Sequence, residues 1–203
     1  MGTLTSVCVY CGAGFGADPA YAESARSLGR ALTKADIRLV YGGGSVGLMG
    51  ALARSVLEAG GNVTGIIPGF LQGRERPMEG LTELIVTQDM HARKMLMFEH
   101  AEAFVALPGG VGTLEEVVEQ MTWAQLGRHQ KPILLANLLG FWDALIVLLD
   151  HMREARFIRP DMDVRYLVAD RIEDIVPKLR RAAAEREQAA LDQIAAAAPL
   201  SRM

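Results

Sequence analysis

The chain has 203 residues, 50% hydrophobic and 22% charged, which makes it a globular chain long enough to bury a core without metals or disulfides. A formal charge of −3 and only 6% aromatic residues argue against a nucleic-acid partner, which calls for a basic stripe and stacking platforms. Two cysteines, Cys8 and Cys11, exclude a disulfide scaffold and a four-cysteine zinc site.

Leu4–Tyr10 reads as a buried strand running into a turn region at Cys11–Gly16. Pro19 opens an amphipathic helix to Lys34, and a second strand follows at Arg38–Tyr41. Gly42–Gly44 lead into a helix over Gly47–Glu58 that Gly60–Gly61 stop; Val63–Ile67 is the third strand, closed by Pro68–Gly69. This alternation predicts a parallel sheet covered on both faces. The segment Phe70–Gly80, holding Arg74, Glu75, Arg76 and Pro77, is polar and reads as a loop able to lie over a site. A strand at Leu84–Thr87, a helix at Met90–His100 and a strand at Ala103–Leu107 come next. The glycine loop Pro108–Gly112 then feeds a helix from Thr113 to Leu126. Ile133–Ala136, a helix over Trp142–Met152 and a strand at Tyr166–Ala169 precede a last helix beginning near Arg171.

The expected architecture is therefore α/β: a single Rossmann-like, three-layer domain over residues 1–177 with a mostly parallel sheet. Residues 178–203 hold little but Ala, charged and amide residues before Pro199, with one i,i+4 pair, Arg181–Glu185. They are expected to form an exposed helix or a flexible tail. No basic leader opens the chain and no uncharged apolar run reaches 18 residues, so no membrane partner and a cytoplasmic location are expected.

Two glycine loops carry the functional signal. Gly42-Gly-Gly44-Ser-Val-Gly47 fits the G-x-G-x-x-G pattern between a strand and a helix, but it follows the second strand and no ribose-binding acid ends the next one. A P-loop is excluded, since no Gly-Lys-Ser/Thr occurs. In Pro108-Gly109-Gly110-Val-Gly112-Thr113, successive N–H groups and the positive end of the following helix suit a phosphate, with Thr113 either capping that helix or donating its hydroxyl. A bare strand-to-helix corner is the plainer alternative.

On the helix after this loop, Leu114, Val117, Val118, Met121 and Ala124 form one apolar arc. Glu116, Glu119, Gln120 and Trp123 lie opposite. Glu116 stands one turn from the phosphate seat, where a carboxylate could face a sugar ring and orient water or stabilise positive charge. Met90, Arg93, Lys94 and Met97 share a stripe on the preceding helix, with Arg93 suited to bidentate contacts and Lys94 to acting as a point charge. Lys94 is also the one plausible Schiff-base lysine, although its neighbour Arg93 favours anion binding over pyridoxal phosphate chemistry.

Taken together, Cys8–Gly12, Tyr41–Gly44, Gly47–Gly50, Met90–Lys94, Pro108–Glu116 and Thr122–Gly127 closely resemble the Lonely Guy family of cytokinin riboside 5′-monophosphate phosphoribohydrolases, in order from Leu4 to Ile175. The resemblance implies a homodimer that cleaves the N-glycosidic bond of a nucleoside monophosphate with neither cofactor nor metal. It implies Arg93 and Glu116 as catalytic residues. Substrate would be held by Gly44, Met49, Met90 and Lys94, and by Gly109, Gly110, Gly112 and Thr113. Cys11-Gly-Ala-Gly14 replaces the family's usual Cys-Gly-Ser-Ser, and Arg156 stands where glycine is frequent. A broader AMP nucleosidase, a non-hydrolytic phospholigand carrier and a dinucleotide enzyme are the competing expectations. The apolar helix over Phe141–Leu149 and the methionines at Met95–Met97 are the segments from which a dimer interface is expected.

Overall fold

The computed structural model describes residues 4–197, with side chains to residue 192 apart from that of Arg74. Seven strands form one sheet: β1 Ser6–Tyr10, β2 Arg38–Tyr41, β3 Val63–Pro68, β4 Glu83–Thr87, β5 Ala103–Ala106, β6 Ile133–Ala136 and β7 Leu167–Ala169. Their order is β4-β3-β2-β1-β5-β6-β7, and every pairing is parallel. The helices are α1 Pro19–Lys34, α2 Gly47–Glu58, α3 Gln72–Glu75, α4 Met90–Glu99, α5 Val111–Gln125, α6 Asp143–Glu154 and α7 Ile175–Ala197.

The interior strands are buried on both sides, whereas the edge strand β4 is largely exposed, and the side chains of β1 divide by the period of two. Val7 and Val9 of β1 point into one core with Leu28, Leu32, Leu52, Val56, Ile175 and Leu179 of α1, α2 and α7. Cys8 and Tyr10 point into the other, with Met97, Val117, Met121 and Leu149 of α4, α5 and α6. This is the expected three-layer sandwich. The strand order runs outward in opposite directions from β1 and β5, so the chain leaves a crevice at the carboxyl ends of those two strands. In open α/β sheets that switch point is where ligands bind.

Element ends shift by one or two residues from the sequence reading, and two segments differ in kind. Phe70–Gly80 is not plain loop: a 3-10 turn at Gly69–Leu71 and the short α3 occupy its first half. The last helix does not begin at Arg171, because a 3-10 turn at Ile172–Asp174 precedes α7. Helix α7 docks through buried Ile175 and Leu179, and Arg180 donates to the Ala35 carbonyl at 2.7 Å. The stop expected at Pro199 lies outside the described residues.

Helices α1 and α2 approach closely at Gly29, where an added Cβ would stand 2.9 Å from both the Leu52 carbonyl oxygen and Ser55 Cβ. Replacing an interior helical glycine by alanine ordinarily gains about 1 kcal/mol. Overpacking a close helix contact costs about 1–3 kcal/mol, and here the obstruction includes backbone. Gly29→Ala is therefore expected to lower stability by about 1 kcal/mol, read as a reduced urea midpoint. An unchanged or raised midpoint would show that α1 and α2 can separate without penalty.

Candidate active site

The crevice is built by two glycine loops that touch. The Gly12 N–H donates to the Pro108 carbonyl at 3.1 Å, and a Cβ on Gly109 would sit 2.9 Å from Gly12 N and closer still to Thr113 Oγ1. Glycine at 109 is thus required by the approach of β1's exit to β5's exit. Helix α5 opens immediately beyond, with Gly110 at its N-cap and no side chain capping its first N–H groups. By contrast, Asp18 and Asp89 cap α1 and α4, each at 2.8 Å. An uncapped helix terminus above a ligand crevice is a ready anion seat. Thr113 is buried beside Gly109 and does not cap the helix, while Gly110 and Gly112 face open space.

The other glycine loop has a different job. The first N–H groups of α2 are already taken: Leu48 donates to the Gly12 and Gly14 carbonyls at 3.0 and 3.2 Å, and Met49 to Gly12 at 3.4 Å. With those donors consumed, Gly42–Gly47 cannot seat a pyrophosphate as a dinucleotide fold does, and the dinucleotide expectation fails. Instead this loop holds Arg93. The guanidinium Nη2 donates to the Gly42 carbonyl at 3.2 Å and fills the space a side chain at 42 would need. Met90 lies beside it, with Sδ 3.9 Å from Nη1, and Met49 packs against Gly42 and Gly44.

Glu116 reaches the crevice from the second turn of α5, half-buried near Cys8, Tyr10 and Cys11. Burial pushes its carboxyl up to about 7; Glu115 and Glu75 push the same way, while Arg93 and Lys94 oppose. At neutral pH it is poised between acid and carboxylate, which is what proton transfer requires. In turn its charge, after burial itself, raises the Cys11 thiol.

Lys94 is placed differently from its expected role at the ligand. Its ammonium donates to Glu115 at 2.6 Å and to Glu119 at 2.9 Å, tying α4 to α5. Burial alone would lower its pKa, but the two carboxylates hold it above the ordinary lysine value. A clamped, protonated ammonium is also unfit to form a Schiff base, so the site does not suit pyridoxal phosphate.

The structure brings in Glu75, for which the sequence left a lid residue and a solvated loop equally open. The segment following α3 is strapped over the second glycine loop: Ser45 N–H donates to the Arg76 carbonyl at 3.0 Å, Met78 N–H to Gly43 at 3.0 Å, and Pro77 bridges Gly44. This brings the Glu75 carboxylate into electrostatic reach of Glu116. Glu75 Oε2 and Arg93 Nε are both buried without a partner, orphaned polar groups of the kind a ligand satisfies. The sequence signal was its place between Arg74 and Arg76 in a polar segment able to lie over the site.

The expected faces of α5 are partly reversed. Val117 and Met121 are buried as predicted, but Gln120 joins them at 0% exposure while Leu114 and Val118 face outward. Trp123 lies edge-on to Phe98 at 5.3 Å under the Arg128 guanidinium, so it packs α5 on α4 and is no ligand wall.

Residues 49–179 match a family described as possible lysine decarboxylase. The chain is 45% identical over 179 residues to the cytokinin riboside 5′-monophosphate phosphoribohydrolase of Rhodococcoides fascians, covering 88% of this chain and 90% of that protein. It is 47% identical over 154 residues to the Arabidopsis thaliana enzyme LOG7, covering 76% and 71%. Among solved structures, the molybdenum cofactor carrier protein of Chlamydomonas reinhardtii superposes with a TM-score of 0.66 at 21% identity, over 89% of this chain and 99% of that one. That likeness is one of fold. The chain belongs to the Lonely Guy family.

A carboxyl whose folded pKa lies above its unfolded value stabilises only while protonated. For Glu116 that benefit is complete below about 4.5 and is lost as pH rises through about 7. Glu116→Gln is thus expected to be more stable than the parent at pH 8 by about 1–3 kcal/mol, with the gain vanishing near pH 4.5. Denaturant midpoints of both proteins across this range check it; a pH-independent difference would mean Glu116 is ionised freely in the fold.

Proposed function

We propose that this Lonely Guy protein hydrolyses the N-glycosidic bond of N6-substituted adenosine 5′-monophosphates, releasing the free base and ribose 5-phosphate. The observation that carries the reading is the convergence of Arg93, Glu116 and the uncapped terminus of α5 on one crevice, in a chain 45% identical to a phosphoribohydrolase over most of both lengths. The free N–H groups of Val111, Gly112 and Thr113 take the 5′-phosphate. One turn along α5, Glu116 then meets the ribose near C1′. Glu75 faces the same sugar from the strap, and Arg93, anchored on the Gly42 carbonyl, holds the nucleotide against the crevice.

In the reaction the C1′–N9 bond breaks with its electron pair leaving on the base, and positive charge develops on the ribose. The Glu116 and Glu75 carboxylates stabilise that charge. Water adds its oxygen to C1′, Glu116 accepts the water's proton, and the departing base takes up a proton in its place. The balance is nucleotide plus water to base plus ribose 5-phosphate. Glu116 must be ionised to accept a proton, so kcat/KM is expected to rise with pH through about 7.

Two chains form a homodimer in this reading. Val111, Leu114 and Val118 on α5, with Val147 and Leu148 on α6, expose apolar side chains that a second copy would cover. The Phe141–Leu149 segment supports the expectation in part, whereas Met97 is 1% exposed and can supply nothing. Val118→Glu is expected to shift the mass measured by light scattering from dimer to monomer; an unchanged mass places the interface elsewhere.

Purified protein given isopentenyladenosine 5′-monophosphate should release base detectable by chromatography, and faster per KM than from AMP. Glu116→Gln and Arg93→Gln should each lose about 10²–10⁴ in rate while remaining folded. Equal kcat/KM for both substrates would make the protein a general nucleoside-monophosphate nucleosidase. Binding without release would make it a carrier.

A further inference from the structure

Helix α3 ends at Glu75, and the chain enters the strap through Arg76, whose backbone stands at φ 45° and ψ 102°. Left-handed residues ordinarily keep ψ at about 30–60°. Leu139, at φ 54° and ψ 28°, borders that region, whereas Arg76 lies well outside it. Such a conformation is costly for any residue with a Cβ and persists only where its surroundings impose it.

The surroundings here are backbone. Ser45 N–H is shared between the Glu75 and Arg76 carbonyls at 3.3 and 3.0 Å, Gly44 and Pro77 form an antiparallel bridge, and Met78 N–H donates to Gly43 at 3.0 Å. Pro77 also disfavours a further helical residue at 76. The Arg76 side chain is exposed, and among the described residues it is in no ion pair. What the turn achieves is the placement of the residue before it. Glu75 is carried to the crevice, with Oε2 buried and unpartnered and its charge in reach of Glu116. Backbone strain, an orphaned carboxylate oxygen and like-charge repulsion thus fall on one short segment. A few backbone hydrogen bonds, each of modest net worth, hold it down.

We propose that the strap is a ligand-operated latch and that Arg76 is its positioning residue, the turn at 76 aiming the Glu75 carboxylate at the hydroxyls of a bound sugar phosphate. This rests on the reading above, in which that sugar is the ribose of the nucleotide. Sugar hydroxyls that donate to Glu75 favour the docked strap over the released one, and by linkage the docked strap favours the sugar. Inorganic phosphate engages only the terminus of α5, so it has no differential contact with the two states.

Amide hydrogen exchange at Ser45 and Met78 tests the latch; neither residue adjoins position 76, so their intrinsic rates are the same in every variant. Arg76→Ala removes the guanidinium and keeps the Cβ, and both amides should exchange as in the wild type. Arg76→Gly removes the Cβ and should slow both about fivefold. In the wild type, ribose 5-phosphate should slow them about tenfold while inorganic phosphate leaves them unchanged. Glu75→Ala should lose the response to ribose 5-phosphate. Core amides such as Val9 and Val105 should not change between the variants, which separates the strap from the global fold. A turn with a merely structural role would answer neither to the sugar nor to Glu75. The latch is overturned by a changed rate in Arg76→Ala, by no slowing in Arg76→Gly, by equal effects of phosphate and ribose 5-phosphate, or by a sugar response that survives in Glu75→Ala. None of these readouts measures base release, so failure of the latch and failure of the hydrolytic reading are separate results.

Discussion

The site rests on the close approach of two backbone turns at the carboxyl ends of β1 and β5. Gly12 and Pro108 are hydrogen-bonded across it, and Gly109 has no room for a side chain. Once that contact is made, the donors at the start of α2 are committed to the Gly12 and Gly14 carbonyls, while those at the start of α5 remain free. One of two similar glycine loops thereby becomes an anchor for protein, and the other is left with uncapped N–H groups at its helix. The physical distinction is where the N–H groups go, since each buried backbone donor needs a partner.

Electrostatics around this contact divide into two pairs of duties. Glu115 and Glu119 neutralise Lys94 and join α4 to α5, which fixes the helix that carries Arg93 against the helix that carries Glu116. Glu116 and Glu75 keep carboxylates in the crevice, and the charges of Arg93 and Lys94 partly offset that of Glu116. Burial and like charge hold Glu116 near neutrality, a state that weakens the fold at high pH and suits proton transfer. In the proposed reaction, stability is given up at the residue that moves the proton.

Much of the fold was legible along the chain. Alternation of short apolar runs with amphipathic segments marked the strands of the sheet, because the interior ones are buried on both faces and must be apolar throughout. Helices Pro19–Lys34 and Gly47–Glu58 were legible to the residue, since Asp18-Pro19 and the glycines at 60–61 signal their ends locally. The strap was not: the end of α3 and the residues after it are held by hydrogen bonds to Ser45 and Gly43, partners some thirty residues away, and nothing in their own sequence reports them. The faces of α5 were half legible. Its expected apolar arc includes Leu114 and Val118, which the tertiary structure leaves uncovered, and excludes Gln120, which it buries.

The sequence by itself determined the parallel α/β sandwich, the two glycine loops and the family, because these depend on periodicity, on residues lacking a Cβ and on ordered short motifs. It also offered Arg93 and Glu116 as the catalytic candidates, through motif resemblance. Only the tertiary structure decided that Lys94 is clamped between carboxylates and that Glu75 enters the crevice. Each of those outcomes turns on which distant charge or carbonyl a side chain meets. Coulombic and hydrogen-bond partners are set by distance in space, and spacing along the chain does not contain it.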